Sequence, residues 1–175
     1  MNPLPETPRL VFREMALADL DFIAAMLADS EVMRYYPRCY TRAEAETWVR
    51  RQLDRYAKHG HGLWLVQDRA TGQPLGQVGL LIQQVEGVAE PEIGYLIHRP
   101  FRRRGLATEA AAATRDVAFD KLGKPRVISL IRPENVPSQG VARRIGMRPG
   151  PHTVQHGGFT HLVFSIAREE QTGHQ

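Results

Sequence analysis

Hydrophobic residues recur at every second position in some segments of this chain and at every third or fourth position in others, which predicts alternating strands and helices. The predicted strands are residues 9–13, 63–67, 75–85, 92–98, 126–132, 153–155 and 160–166. The predicted helices are residues 18–28, a brief turn at 30–36, 41–59, 106–122 and 135–145. Residues 1–7 and the tail from Ala167 are polar and are expected to be loose. This order of elements predicts an α+β fold with a mixed sheet.

The segment from Glu92 to Thr108 has the most informative pattern. Its first half alternates like a strand, and Pro100 stops the pairing because proline has no N–H for a ladder. Three consecutive arginines then lead to Gly105, and an alanine-rich helix starts directly after it. A strand, a basic turn with a glycine and a helix N-terminus together predict an anion site, because free backbone N–H groups and the helix dipole point the same way.

Length and composition fit one domain spanning residues 1–175, with a core of about residues 8–168. The net charge of +4 suits an anionic ligand and is also compatible with weak nucleic-acid contact. Cys39 is the only cysteine, so a disulfide within the chain is excluded and a reducing compartment is expected. We expect no metal site, no membrane segment and a cytoplasmic location, since neither metal-ligand spacing nor a leader pattern is visible.

Two short motifs resemble the GCN5-related N-acetyltransferase (GNAT) superfamily. Arg102-x-x-Gly105-x-Ala107 is similar to its pyrophosphate-binding signature, and Asn135-x-x-Ser138, followed by Ala142 and Ile145-Gly146-Met147, is similar to its second block. Met147 replaces the usual phenylalanine, an apolar exchange expected to be harmless. The closest likeness is to the ribosomal-protein N-terminal acetyltransferase (RimJ/RimL)-like branch. The resemblance implies a mostly antiparallel sheet of about seven strands with about four helices, and central strands that splay apart around acetyl-CoA.

The resemblance also implies which residues bind coenzyme A. Backbone groups of the central strand would meet the pantetheine amides, and backbone N–H groups beside Gly105 would hold the pyrophosphate, with the arginine side chains secondary. The implied cofactor residues are Leu96, Ile97, His98, Arg102, Arg103, Arg104, Gly105, Leu106, Ala107, Thr108, Asn135, Ser138 and Ala142. An acid–base role for His98 is less expected than a surface position.

Transfer of an acetyl group from a thioester to an amine needs a base for the amine proton and a donor for the departing thiolate. By resemblance, Glu92 is the candidate base, directly or through water, and Ser138 is the candidate donor. Glu92 is alternatively a solvated or paired charge at the start of a strand, and Ser138 is alternatively a helix cap. Cys39 lies far from both motifs, so direct attack without an acyl-enzyme is expected.

The resemblance implies that the acceptor is a primary amine, either on a small molecule or at a protein N-terminus, and the sequence leaves that choice open. The implied substrate residues are Tyr35, Tyr36, Glu92, His156 and Phe159, whose aromatic members are alternatively core residues. A homodimer is possible, as in many relatives. Two other interpretations remain: an acyl-CoA-binding sensor that has lost turnover, and an RNA-binding protein. The second is disfavoured because aromatic residues do not interleave the arginines, so we expect no nucleic-acid partner.

Overall fold

One seven-stranded sheet organises the computed structural model, which describes residues 2–171. The strands are β1 (Leu10–Arg13), β2 (Leu63–Asp68), β3 (Pro74–Val85), β4 (Val88–Ile97), β5 (Arg126–Ile131), β6 (Arg148–His156) and β7 (Phe159–Ala167). Their order in the sheet is β1-β2-β3-β4-β5-β7-β6, and every neighbouring pair is antiparallel except β4 with β5. The predicted α+β class with a mostly antiparallel sheet is confirmed.

Helices cover both faces of the sheet. They are α1 (Leu20–Ala28), α2 (Arg42–His59), α3 (Leu106–Asp120), α4 (Val136–Arg144) and the single turn α5 (Arg168–Gln171). One face is closed by α1 and α2, whose Ile23 and Val49 pack with Leu65 of β2. The other face is closed by α3 and α4, whose Phe119 and Ala142 share a core cluster with residues of β4, β5 and β7. None of the described helices is long and apolar enough to cross a bilayer.

The α2 helix begins where its sequence predicts. Thr41 accepts a hydrogen bond from the Glu44 N–H, and the Glu44 carboxylate accepts one from the Thr41 N–H, so both partners of the capping box are present. Gly60 ends the helix in the left-handed conformation at φ 74°. Met147, at the position where the family has phenylalanine, is 1% exposed within the core cluster around Phe164.

The β4 strand starts four residues earlier than predicted, at Val88, and forms a long regular hairpin with β3. Pro91 lies inside this strand, paired with Ile82. The His98 N–H donates to the Leu75 carbonyl. Because hydrogen-bonding direction alternates along an antiparallel pair, the even-numbered residues of β4 point their N–H groups toward β3 and the odd-numbered residues point theirs away from it. Pro91 therefore lacks only an N–H that the hairpin does not use, which is why the strand tolerates it.

The β4 and β5 strands splay apart, as expected. They share a single register pair, Glu92 with Ile128. Beyond that pair, side chains replace the ladder: the Ser129 hydroxyl donates to the Ile93 carbonyl at 2.8 Å, and the Leu130 N–H donates to Glu92 Oε1 at 3.2 Å. The backbone groups nearest the fork are thus satisfied without a strand partner, and the part of β4 after Glu92 borders a cleft that the Tyr95 hydroxyl bridges by donating to the Ser138 carbonyl.

Several predicted boundaries were wrong. Residues 30–36 form isolated turns instead of a helix, since Met33 N–H to Asp29 O and Tyr36 N–H to Met33 O are single bonds before Pro37. The β6 strand starts at Arg148 instead of residue 153, because an edge strand tolerates Pro149 and a register shift. The tail folds into α5 up to residue 171, and the remainder of that prediction lies outside the described residues.

Candidate active site

Glu92 lies at the fork between β4 and β5, and it is a buried carboxylate. Only 9% of the residue is exposed. Its two oxygens accept from Gln83 Nε2 at 2.8 Å and from the Leu130 N–H at 3.2 Å. Burial raises the pKa of Glu92 above its usual value, and these two hydrogen bonds oppose that rise because they favour the charged form. A carboxyl group held in this way is suited to accept a proton near neutral pH.

Glu92 is on the α1–α2 face of the sheet, whereas the backbone of β4 opens sideways into the cleft. Tyr95 and Ile97 point their N–H and C=O groups away from β3, because backbone direction alternates along β4 and the His98 N–H points toward β3. The expectation that Leu96 and His98 bind pantetheine through their N–H groups therefore needs correction, because these N–H groups point toward β3. Of the three residues proposed for pantetheine, only Ile97 points its N–H toward the cleft.

The His98 side chain is half-buried and lies against aromatic rings. Its ring meets Phe22 edge-on at 5.7 Å and Phe101 at 6.3 Å between centroids. Burial lowers its pKa, and its Nδ1 is buried without a hydrogen-bond partner among the described residues. A neutral, packed imidazole in this place supports the end of β4.

The loop before α3 forms a cradle of free backbone N–H groups. The first backbone hydrogen bond of the helix runs from the Glu109 N–H to the Gly105 carbonyl at 3.1 Å. Across the described residues, the N–H groups of residues 103–108 have no hydrogen-bond partner. Arg103 and Gly105 both have left-handed backbones, with φ of 62° and 72°. Residues in this conformation turn successive N–H groups toward one concave surface, which suits an anion.

The Arg102 side chain points away from this cradle. Its Nε donates to the Ile97 carbonyl at 3.0 Å and its NH1 donates to the Glu31 carbonyl at 3.2 Å. The Arg102 N–H is also used, by the Arg99 carbonyl. Arg102 therefore closes the end of β4, and the cradle consists of residues 103–108. A cavity of about 240 Å³ adjoins it, lined in part by Arg9, Arg69 and Arg104.

Ser138 lies across the cleft on α4, and it is not the helix cap. Asn135 is the cap, since its side-chain oxygen accepts from the Ser138 N–H at 3.2 Å. The Ser138 carbonyl accepts a hydrogen bond from the Tyr95 hydroxyl at 2.6 Å, which joins β4 to α4. The Ser138 hydroxyl has no hydrogen-bond partner among the described residues, so it is free to donate. Ala142, one turn later, is fully buried in the core.

Two of the expected acceptor residues, Tyr36 and His156, lie within electrostatic range of Glu92. The Glu92 charge adds to the burial that raises the pKa of Tyr36, and His156 opposes the burial that raises the pKa of Glu92. Tyr36 keeps 36% of its surface accessible, yet burial of its phenol, followed by the nearby Glu92 charge, raises its pKa to about 12. Tyr36 therefore remains a neutral hydrogen-bond donor and acceptor at physiological pH.

Arg132 joins the two remaining candidates. Its NH1 donates to the Tyr35 carbonyl at 3.4 Å, and its guanidinium lies 4.5 Å from the centre of the Phe159 ring. Glu134 pairs with the same guanidinium at 2.5 Å. The loop after α1 and the β6–β7 hairpin are thus held together at one edge of the cleft.

Three side chains at this site were missed by sequence reasoning: Gln83, Tyr95 as a hydroxyl donor, and Arg132. Gln83 contacts Glu92 because the β3–β4 hairpin brings them to the same face, and the hairpin register was the only available signal. Tyr95 reaches Ser138 across the fork, which the sequence pattern does not encode. The described residues also hold a shallow cavity of about 220 Å³ beside Tyr40, Trp48 and Arg51, away from Glu92.

Comparison with known proteins identifies the family. The model of the acetyltransferase (GNAT) domain matches residues 9–148, which is most of the chain. This chain belongs to the GNAT acetyltransferase family. It is an acetyl-CoA-dependent acetyltransferase, as the resemblance in its two motifs implied. The matched range contains both the cradle and Ser138.

Individual GNAT relatives agree with this membership. The Bacillus subtilis protein YkkB is 36% identical over 119 residues, which cover 68% of this chain and 69% of YkkB. A crystal structure of an acetyltransferase from Agrobacterium tumefaciens is 29% identical, covers 95% of each chain and has a TM-score of 0.81. The ribosomal L7/L12 α-N-protein acetyltransferase RimL, solved with coenzyme A, shares the fold with a TM-score of 0.71 at 15% identity, over 93% of this chain and 96% of RimL.

Proposed function

We propose that this GNAT protein transfers the acetyl group of acetyl-CoA to a primary amine, on a small molecule or at a protein N-terminus, by direct attack within a ternary complex. The observation that carries the proposal is the buried carboxylate of Glu92 at the fork of β4 and β5. We infer that this carboxylate stands between the acceptor amine and the cofactor, because β4 and β5 part directly beyond it.

The cleft fits coenzyme A. The free N–H groups of residues 103–108 match a diphosphate, and the outward backbone groups of Tyr95 and the Ile97 N–H match the amides of pantetheine, while the Ile97 carbonyl accepts from Arg102. Asn135 orders the start of α4 on the opposite wall. When bound, acetyl-CoA supplies a thioester carbonyl that an amine can attack.

Glu92 removes a proton from the ammonium form of the acceptor, directly or through a water molecule, because an amine attacks only through its free lone pair. The Ile97 N–H donates to the carbonyl oxygen on which negative charge develops. As the new C–N bond forms and the C–S bond breaks, the Ser138 hydroxyl would donate a proton to the departing sulfur and regain one from the amine nitrogen, which loses its second proton as it becomes an amide. Tyr36 and His156 flank Glu92 and position the amine.

Release of free thiol from acetyl-CoA in the presence of a panel of amines and peptides tests this proposal. We expect amine-dependent release, which Glu92→Gln reduces by about 10²–10⁴-fold, the range of a general base. Glu90→Gln is the matched control, since Glu90 lies two residues earlier on the same face of β4 and pairs loosely with Arg126 at 3.9 Å. Saturable coenzyme A binding without release from any acceptor would favour the sensor interpretation.

A further inference from the structure

Arg9 contacts both the loop that carries the cradle and the first turn of α3 that follows it. Its Nε donates to Glu109 Oε2 at 2.6 Å, and its NH1 donates to the Arg104 carbonyl at 2.9 Å. The Arg9 backbone N–H also donates to Glu109 Oε1, at 3.2 Å. One arginine, directly before β1, therefore links the loop that precedes Gly105 to the first turn of α3.

Glu109 is an acidic residue at an unfavourable place for a diphosphate site. It lies in the first turn of α3, the same helix end at which the cradle presents its N–H groups. Burial alone would raise the pKa of Glu109, but hydrogen bonds from Thr7 and Arg9 outweigh it and lower the pKa. The carboxylate is thus charged at neutral pH, and it would repel an arriving diphosphate unless its charge is offset.

The bond to the Arg104 carbonyl has a second consequence. The C=O and N–H of a trans peptide point in opposite directions. Arg9 therefore fixes the direction of the Gly105 N–H when it holds the Arg104 carbonyl. That N–H belongs to the cradle, and a rigid donor loses less entropy when a ligand binds.

We propose that Arg9 is a positioning residue for the cofactor. It neutralises Glu109 and orients the Arg104–Gly105 peptide, so that the N–H groups of the cradle can bind a diphosphate without repulsion from the Glu109 carboxylate. The inference rests on the proposed use of residues 103–108 as the diphosphate site. It adds a role for a residue outside both family motifs, almost a hundred positions away in sequence.

Calorimetric titration with coenzyme A tests this role without an acceptor. Arg9→Gln should weaken binding about fivefold, the size expected when one nearby charge is no longer offset at a partly exposed site. Arg13→Gln is the matched control. It breaks the same kind of ion pair, with Asp19 at 2.6 Å, at the other end of β1, and it should leave the affinity unchanged.

The double variant Arg9→Gln/Glu109→Gln separates positioning from simple structural support. We expect it to recover most of the lost affinity, because removal of the carboxylate removes the repulsion. The Arg9→Gln loss should also shrink in about 0.5 M salt, where charges on the surface are screened. Arg9→Lys, which retains the charge but cannot contact both Glu109 and Arg104, should give an intermediate loss and serves if Arg9→Gln folds poorly.

Equal losses in Arg9→Gln and Arg13→Gln, or a double variant as weak as Arg9→Gln, would overturn the inference. If wild-type protein fails to bind coenzyme A, the proposed diphosphate site fails first, and the inference fails with it. Binding by the wild type that Arg9→Gln leaves unchanged overturns the inference alone.

Discussion

At the scale of single residues, Glu92 combines burial with two hydrogen bonds that favour its charged form. Burial has the larger effect and raises its pKa. A carboxyl whose pKa is raised on folding disfavours the folded state as pH rises above its unfolded value, since the unfolded chain releases the proton more readily. Glu92 therefore costs stability at neutral pH, as is common for functional groups.

The pH dependence of turnover follows from this environment. Because the base must be unprotonated, kcat should fall as pH decreases through the raised pKa of Glu92. Gln83→Leu removes a hydrogen bond to the charged form, so the acid limb of the kcat profile should move to higher pH. Glu92→Gln should abolish that limb and lower kcat by about 10²–10⁴-fold. A pH series of steady-state rates measures all three.

Stability measurements provide the control for these variants. Glu92→Gln should retain or raise the melting temperature at pH 8, because a buried charge is removed from the folded protein. An unchanged kcat profile in Glu92→Gln would exclude Glu92 as the base. If Glu92→Gln is impaired but the acid limb of the kcat profile does not shift in Gln83→Leu, then Gln83 does not influence the pKa of Glu92.

At the scale of elements, the cradle depends on backbone geometry more than on arginine charge. The left-handed φ of Gly105 is strained for any residue with a side chain, although a Cβ there would meet only the Arg9 guanidinium, at 3.6 Å. The cost of a substitution at Gly105 is therefore mostly conformational. Arg103 already adopts φ 62° with a side chain, which marks the loop as held by its surroundings.

Gly105→Val should consequently weaken coenzyme A binding more than Arg103→Glu. Valine is β-branched and resists the left-handed conformation, so the loop must rebuild and its N–H groups diverge. Charge reversal at the exposed Arg103 changes only a screened interaction, worth about 1 kcal/mol or less. Calorimetric titrations of the two variants measure the ranking. The opposite order would mean that the arginine side chains, and not the backbone, hold the phosphates.

At the scale of the whole molecule, the candidate site depends on the separation of β4 from β5 within the sheet. The β4 and β5 strands share only the pair Glu92–Ile128, and Ser129 and Glu92 satisfy the backbone groups just beyond it. The cleft proposed for the cofactor and the candidate base therefore both arise from the same fork. The Tyr95–Ser138 bond spans the cleft and fixes the distance between its walls.

Local pattern predicted most of the fold. Three features depend only on residues that are close together in the sequence: the α2 capping box, the buried β5 strand and the turn at Gly105. The structure has all three where they were expected. Residues 30–36 were misassigned because a few apolar residues before Pro37 resemble a helical turn. Strand lengths were underestimated at Pro91 and Pro149, since tolerance of proline depends on which way each N–H faces.

The site was predictable only in part. The motif positions identified the cradle and Ser138, but the direction of the Arg102 guanidinium and of the Leu96 and His98 N–H groups depends on tertiary contacts. Arg9 and Glu109 come together from distant parts of the chain, and no spacing rule links them. The residues expected to bind the acceptor come from the loop after α1 and from the β6–β7 hairpin, which only the folded chain brings together.

A crystal structure of this protein with coenzyme A tests the central claim most directly. The account predicts that pantetheine runs between β4 and β5 beside Ile97, with the diphosphate on the N–H groups of residues 103–108 and the sulfur near Ser138. Coenzyme A bound elsewhere, or a cleft that stays closed by the Tyr95–Ser138 contact, would contradict it.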